Sequence, residues 1–136
     1  SAGASSLVQS SILNINALVS FPRILANNNS SLTLVDSQLN VSGSSSGGFF
    51  STPSGGAISL SSNSAAFIDN SNINYVNTSF NTTSYGLVVQ DATSMIAMQD
   101  GSLNVSGGFD ASLTNGPNIS FSGVSCTLYG GVVRCQ

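Results

Sequence analysis

Charge is nearly absent from this chain. Of its 136 residues only Arg23, Arg134, Asp36, Asp69, Asp91, Asp100 and Asp110 are charged, and Lys, Glu and His do not occur. Soluble domains carry about a quarter charged residues, so water is met here by Ser, Asn, Thr and Gly instead. Two isolated arginines cannot neutralise a phosphate backbone, which excludes a nucleic-acid footprint. Without His there is no base of the usual kind to activate Ser or Cys as a nucleophile. Metal chemistry is equally poorly supplied: no carboxylates cluster, no resident ion or other cofactor is expected, and only Asp69, Asp91 and Asp110 remain as residues that calcium could use. No apolar run approaches the 18 or so residues of a membrane-spanning helix, and no basic cluster marks a lipid surface. No helix of useful length is apparent, so no glycine loop is set to cradle a phosphate.

What the chain does have is repetition. An apolar-x-bend-Ser/Gly-x-apolar-x-apolar phrase recurs five times, and its apolar columns read Val8/Leu34/Ile68/Met98/Leu128, Leu13/Leu39/Ile73/Leu103/Val133 and Ile15/Val41/Tyr75/Val105/Cys135. Between them lies a bend column, Ser10/Asp36/Asn70/Asp100/Gly130, followed by Ser11/Ser37/Ser71/Gly101/Gly131. Successive phrases are 26, 34, 30 and 30 residues apart, the period range of a solenoid. Within each phrase apolar and polar residues alternate, as in half-buried strands, and the bend residue starts a second wall. A third wall is expected at Ile24/Ile58/Leu87/Ile119 and Ala26/Leu60/Val89/Phe121. Length variation falls almost entirely between second and third walls, as solenoids accept insertions on one edge. The longest connection, Ser42 to Gly56, is Ser/Gly-rich around Phe49, Phe50 and Pro53, and a lid folded on that apolar pair is expected.

Strands stacked at about 4.8 Å in parallel register, three walls to a turn, give an all-β, right-handed parallel β-helix of four to five coils, with residues 1–136 forming one domain. At this point the chain resembles the right-handed β-helix class of pectate-lyase-like proteins and bacterial polymorphic outer-membrane proteins. The GGA[ILV] and FxxN tetrapeptides of the latter are matched once each, by Gly55-Gly56-Ala57-Ile58 and Phe67-Ile68-Asp69-Asn70.

An outward column, Asn14/Asn40/Asn74/Asn104, ends at Arg134 and is expected to form an asparagine ladder along the stack. Glycosylation competes for part of it. Asn28, Asn29, Asn40, Asn77, Asn81, Asn104 and Asn118 stand in Asn-x-Ser/Thr sequons. Neighbours about 4.8 Å apart leave little room for sugars, so Asn77 and Asn81, near the variable connection, are the better acceptors.

Cys126 and Cys135 are expected to pair across a hairpin turned at Tyr129-Gly130-Gly131-Val132, with the two cysteines directly opposite, so that a disulfide-closed hairpin caps the stack. A paired disulfide, dense sequons and a start at Ser1 without an apolar leader point to a mature, secreted or cell-surface product.

Asp36 and Asp100 share the bend column two coils apart, roughly 9.6 Å from strand spacing, at the edge of what an inverting glycosidase uses. Asp and Asn are nonetheless ordinary bend residues, and a polysaccharide lyase would want a strong cationic base that Arg23 and Arg134 do not supply. Outward Thr residues form no column, which argues against ice binding.

The expectation is therefore a non-enzymatic, secreted, N-glycosylated structural protein, a β-helical subunit associating head to tail into an extracellular filament or surface layer. The alternative is an adhesive module binding glycans through Tyr75, Tyr85 and Phe80.

Overall fold

The structure, a computed structural model, describes residues 5–17, 24–26, 29–43, 57–77, 83–107 and 110–135. Every regular element among them is a strand. The chain runs through β1 (Ser5–Gln9), β2 (Ile12–Ala17) and β3 (Ile24–Ala26), then β4 (Ser31–Val35), β5 (Gln38–Gly43) and β6 (Ile58–Leu60). It continues through β7 (Ala65–Asp69), β8 (Asn72–Asn77), β9 (Thr83–Val89), β10 (Met95–Gln99), β11 (Ser102–Gly107) and β12 (Asp110–Asn115). The last elements are β13 (Ile119–Ser122), β14 (Ser125–Leu128) and β15 (Gly131–Val133).

Three sheets collect these strands in rotation. The first is ordered β1-β4-β7-β10-β13, the second β2-β5-β8-β11-β14-β15, and the third β3-β6-β9-β12. Every pairing is parallel except β14 with β15. Parallel neighbours cannot be joined by a hairpin, so each strand finds its partner only after the chain has passed through the other two sheets.

Register follows the aliphatic columns. Leu34 pairs with Ile68 and Ile68 with Met98, while Leu39 pairs with Ile73 and Ile73 with Leu103. These side chains fill one continuous interior in which Ile58, Ile73, Leu87, Ile96 and Leu103 are completely covered. The core members that stay partly exposed are confined to the two ends of the stack: Val8 and Leu13 at one, and Ile119, Phe121, Val124, Leu128, Val133 and Cys135 at the other.

The turn from first to second sheet is left-handed each time. Ser10, Asp36, Asn70, Asp100 and Gly123 have φ of 49°, 49°, 48°, 52° and 66°. Asp, Asn and Gly bear that conformation at least cost, which is why they recur there. The corner from third to first sheet uses the same device at Asn29, Asn63 and Asn118.

The final turn departs from the expected columns. Phe121, Cys126 and Leu128 are the fifth members in register, not Leu128, Val133 and Cys135, and the bend column ends at Gly123, not Gly130. Ile119 and Phe121, expected in the third wall, lie in the first sheet against Ile96 and Met98. The cause is a short fourth connection: β12 gives way at Gly116, φ 110°, and Asn118, φ 59°, so the last turn spans fewer residues than the ones before it.

The disulfide joins Cys126 and Cys135 with Cα atoms 5.6 Å apart. Its hairpin is registered differently from expectation: Cys126 faces Val133 and Leu128 faces Gly131, so Cys135 lies beyond the strand. The turn is Tyr129-Gly130, with φ of 52° and 78°, which supplies the two positive-φ residues of a type I′ turn. The register is set by β14, which keeps its parallel ladder on β11 as far as Tyr129, whose N–H donates to Val105 O at 2.9 Å.

Candidate functional site

Polar side chains that the sequence repeats at the turn spacing meet one another between turns. On the outer face of the second sheet Asn40 Nδ2 donates to Asn14 Oδ1 at 2.8 Å, and Asn74 Nδ2 to Asn40 Oδ1 at 2.8 Å. Asn104 Nδ2 then donates to Asn74 Oδ1 at 2.7 Å. The column ends at Thr127, whose hydroxyl donates to Asn104 Oδ1, and not at Arg134, because Thr127 is the residue in register. Gln38 Nε2 adds a lateral donor to Asn40 Oδ1 at 3.2 Å, and Ser102 donates to Asn72 at 2.7 Å. This face carries no charged residue on β2, β5, β8, β11 or β14.

The left-handed corner carries a second line of contacts. Asn70 Nδ2 donates to Asp36 Oδ1 at 2.8 Å, so the middle residue of the Asp36/Asn70/Asp100 column serves as a partner for the first carboxylate. Behind it runs a serine stack: the Ser11 N–H donates to Ser37 Oγ at 3.3 Å, and the Ser37 N–H to Ser71 Oγ at 3.1 Å. Each of these hydroxyls bridges back, Ser37 to Val35 O and Ser71 to Asp69 O.

A matching stack at the other corner was missed in the columns above. The Ser30 N–H donates to Ser64 Oγ at 3.3 Å and the Ser64 N–H to Ser94 Oγ at 3.0 Å. Its signal was the spacing, 34 and 30 residues, the same as the neighbouring apolar columns. Beside it Asn63 Nδ2 donates to Asn29 Oδ1 at 2.8 Å.

Asp91 sits at that corner with both oxygens occupied. Oδ2 accepts from the Ser62 N–H at 2.7 Å, and Oδ1 accepts from the Thr93 hydroxyl at 2.8 Å and the Thr93 N–H at 3.1 Å. These donors, led by the Ser62 backbone, hold its carboxyl down at a pKa of about 2. Among the described residues no group of three or more His, Cys, Asp or Glu is placed to hold a metal ion. The side chain of Asp110 lies outside the described residues.

The sequons divide by what their amide nitrogens already do. Asn40 and Asn104 commit Nδ2 to the ladder, and Asn118 Nδ2 donates to Ala92 O at 3.0 Å and Ser94 O at 3.2 Å. Asn29 is exposed and uses its oxygen. Asn28, Asn81 and the Asn77 side chain fall outside the described residues, as do Arg23, Phe49, Phe50 and Phe80.

The three aromatics proposed for sugar stacking are not brought together. Tyr75 points into the interior and is completely covered, while Tyr85 is half-buried. Of the two tetrapeptides, Gly55 and Gly56 lie outside the described residues, Ala57 and Ile58 are buried, and Phe67 faces outward, 47% exposed.

The Tyr75 hydroxyl has no hydrogen-bond partner, and burial pushes its pKa up to about 12. No helix among the described residues is long and apolar enough to cross a membrane. Compared with family models, curated proteins and solved structures, the chain matches none of them.

Proposed function

We propose that the chain is a non-enzymatic structural module of a secreted or cell-surface protein, N-glycosylated, and built as a right-handed parallel β-helix. It has four full turns of three strands and a fifth closed by the disulfide hairpin. The observation that carries this reading is how the repeated polar side chains are used. An active site needs groups that converge on one reacting atom. Here the amides and hydroxyls bond to their counterparts one turn away, along the stack. Asp36 and Asp91, the carboxylates with printed partners, are engaged by an amide and by backbone donors.

Six strand positions at about 4.8 Å make a block only about 25–30 Å tall. Association end to end is therefore the way such a module becomes a filament or layer. Simple head-to-tail stacking meets an obstacle, because β15 holds the place in the second sheet that β2 of a following copy would need. The module enters a larger structure as a block terminated at its hairpin end.

The test is reducing-end release on a panel of polysaccharides, with electron microscopy of native material. No turnover, and blocks of this height within an ordered assembly, are expected. Turnover lost in Asp36→Asn or Asp100→Asn would overturn the reading. A glycan-binding module, the second reading, would have to use the uncharged outer face of the second sheet, and a glycan array decides it.

A further inference from the structure

The two ends of the stack differ in kind. At the hairpin end the second sheet is closed by the antiparallel β15, followed directly by Arg134. At the other end β1, β2 and β3 are the edge strands of all three sheets. Exposed edges are normally guarded by charge, Pro or bulges. From Ser5 to Ala17 there is no charged residue and no Pro. Apolar exposure also gathers there: Leu7 is 65% and Ile12 68% exposed, and the core residues Val8 and Leu13 are only partly covered.

The open edge also carries unused hydrogen-bonding groups that the repeat identifies. The N–H groups of Ser10, Asp36, Asn70 and Asp100 donate forward to Val35, Asp69, Gln99 and Ser122 O at 3.0, 3.1, 2.8 and 2.9 Å. Val35 O and Asp69 O each take a serine hydroxyl as well. Gln9 O, the first member of that acceptor series, takes the Ser11 hydroxyl at 2.7 Å and has no preceding turn to supply the N–H. By strand alternation the N–H and C=O groups of Ser5, Leu7 and Gln9 all point out of this edge.

Those three residues are symmetric about Leu7. We propose that β1 of one copy pairs antiparallel with β1 of a second copy about a two-fold axis at Leu7, matching Ser5 with Gln9 of the other copy. The inference rests on the structural-module reading above. An isologous contact of this kind closes at two, with a hairpin terminating each outer end. The absence of charge on the edge means that two identical surfaces meet without like-charge repulsion. Leu7 meets its counterpart at a hydrogen-bonded pair, Cα atoms about 5.5 Å apart, which a disulfide can span.

The experiment uses the full chain. Sedimentation is expected to give a dimer, and small-angle scattering a particle about 50–60 Å long, twice one stack. Leu7→Cys is expected to yield a covalent dimer on mild oxidation and nothing larger. Phe67→Cys, on the same outer face two strands away, stays uncrosslinked. Leu7→Arg, which sets two guanidinium groups across the axis, weakens association at least tenfold with the circular dichroism spectrum unchanged. A monomer at millimolar concentration overturns the pairing and leaves the structural reading standing. A dimer in which Leu7→Cys does not crosslink, or polymers that grow with concentration, also overturns it. Polysaccharide turnover by the same preparation instead removes the reading on which it rests.

Discussion

Asn74 Nδ2 donates to Asn40 Oδ1 at 2.8 Å, and Asn74 Oδ1 accepts from Asn104 Nδ2 at 2.7 Å, so one amide is bound to residues 34 positions before it and 30 after. Asn14, at the open end, takes part in a single such bond. A partly buried hydrogen bond contributes about 1 kcal/mol net. Asn74→Ala is therefore expected to lower stability by about 2 kcal/mol and Asn14→Ala by about half that, read from urea midpoints at unchanged slope. Equal losses at the two positions would mean that the amides act independently and not as a chain.

The serine stack stops at Gly101, and the stop is structural. The column Ser11/Ser37/Ser71/Gly101 invites Gly101→Ser as a neutral repair. A Cβ at Gly101 would run into the Ser71 carbonyl oxygen, with the Ser71 backbone nitrogen at 2.9 Å. Both are backbone and cannot swing aside. Gly101→Ser is expected to cost upwards of 3 kcal/mol, in the range of the large single-site losses. Gly130→Ala, with nothing within 4 Å of its Cβ, loses only the conformational preference at φ 78°, about 1 kcal/mol. Thermal melts of the two variants side by side check the ordering.

The first four turns were legible because two independent signals coincide in them. Aliphatic alternation gives the strands, and Asp36, Asn70 and Asp100 tolerate the left-handed corner between them. The fifth was not, because Leu128-Tyr129-Gly130-Gly131-Val132-Val133 spells the same phrase for another purpose. A corner of the stack and a tight hairpin both demand positive φ, and Gly130 serves the second. The true corner is Gly123, in a segment whose spacing is shortened by the bend at Gly116 to Asn118. Side-chain direction was legible in the strands, so Tyr75 belongs with Val41 and Val105 in the interior. Its use as a sugar platform set an aromatic preference against that alternation, and the alternation prevailed.

Asp91 ties the corner of the third turn to that of the second through the Ser62 N–H. Its carboxyl, ordinarily near 3.8, is held at about 2 in the folded state. A depressed folded value means that the unfolded chain takes up the proton first as the pH falls. The contribution is complete above about pH 4 and is lost between there and about pH 2. Asp91→Asn is expected to be less stable than the parent at pH 6 and to converge with it at pH 2, followed by urea unfolding at each pH. A constant gap down to pH 2 would show that the carboxylate charge is not what the corner uses.

Tyr75 offers the reverse case at high pH. Its ring fills the interior, but its hydroxyl is buried without a hydrogen-bond partner. Removing an unsatisfied buried hydroxyl deletes a desolvation cost and leaves the ring packing, so Tyr75→Phe is expected to be neutral or stabilising by up to about 2 kcal/mol at pH 7. Tyr75→Ala, which empties the site, costs about 3–5 kcal/mol. Burial raises the phenol from 10.0 to about 12 in the folded chain. Below pH 10 the group is protonated in both states and contributes no pH dependence. Between 10 and 12 the unfolded chain sheds the proton and the folded chain keeps it, so stability falls across that window by roughly 2–3 kcal/mol. Tyr75→Phe removes that fall and leaves only what other groups contribute. The gap between variant and parent should therefore widen from pH 9 to pH 12, followed by urea midpoints at each pH. A gap that stays constant would mean that the hydroxyl reaches solvent or a partner, and that the interior opens around residue 75.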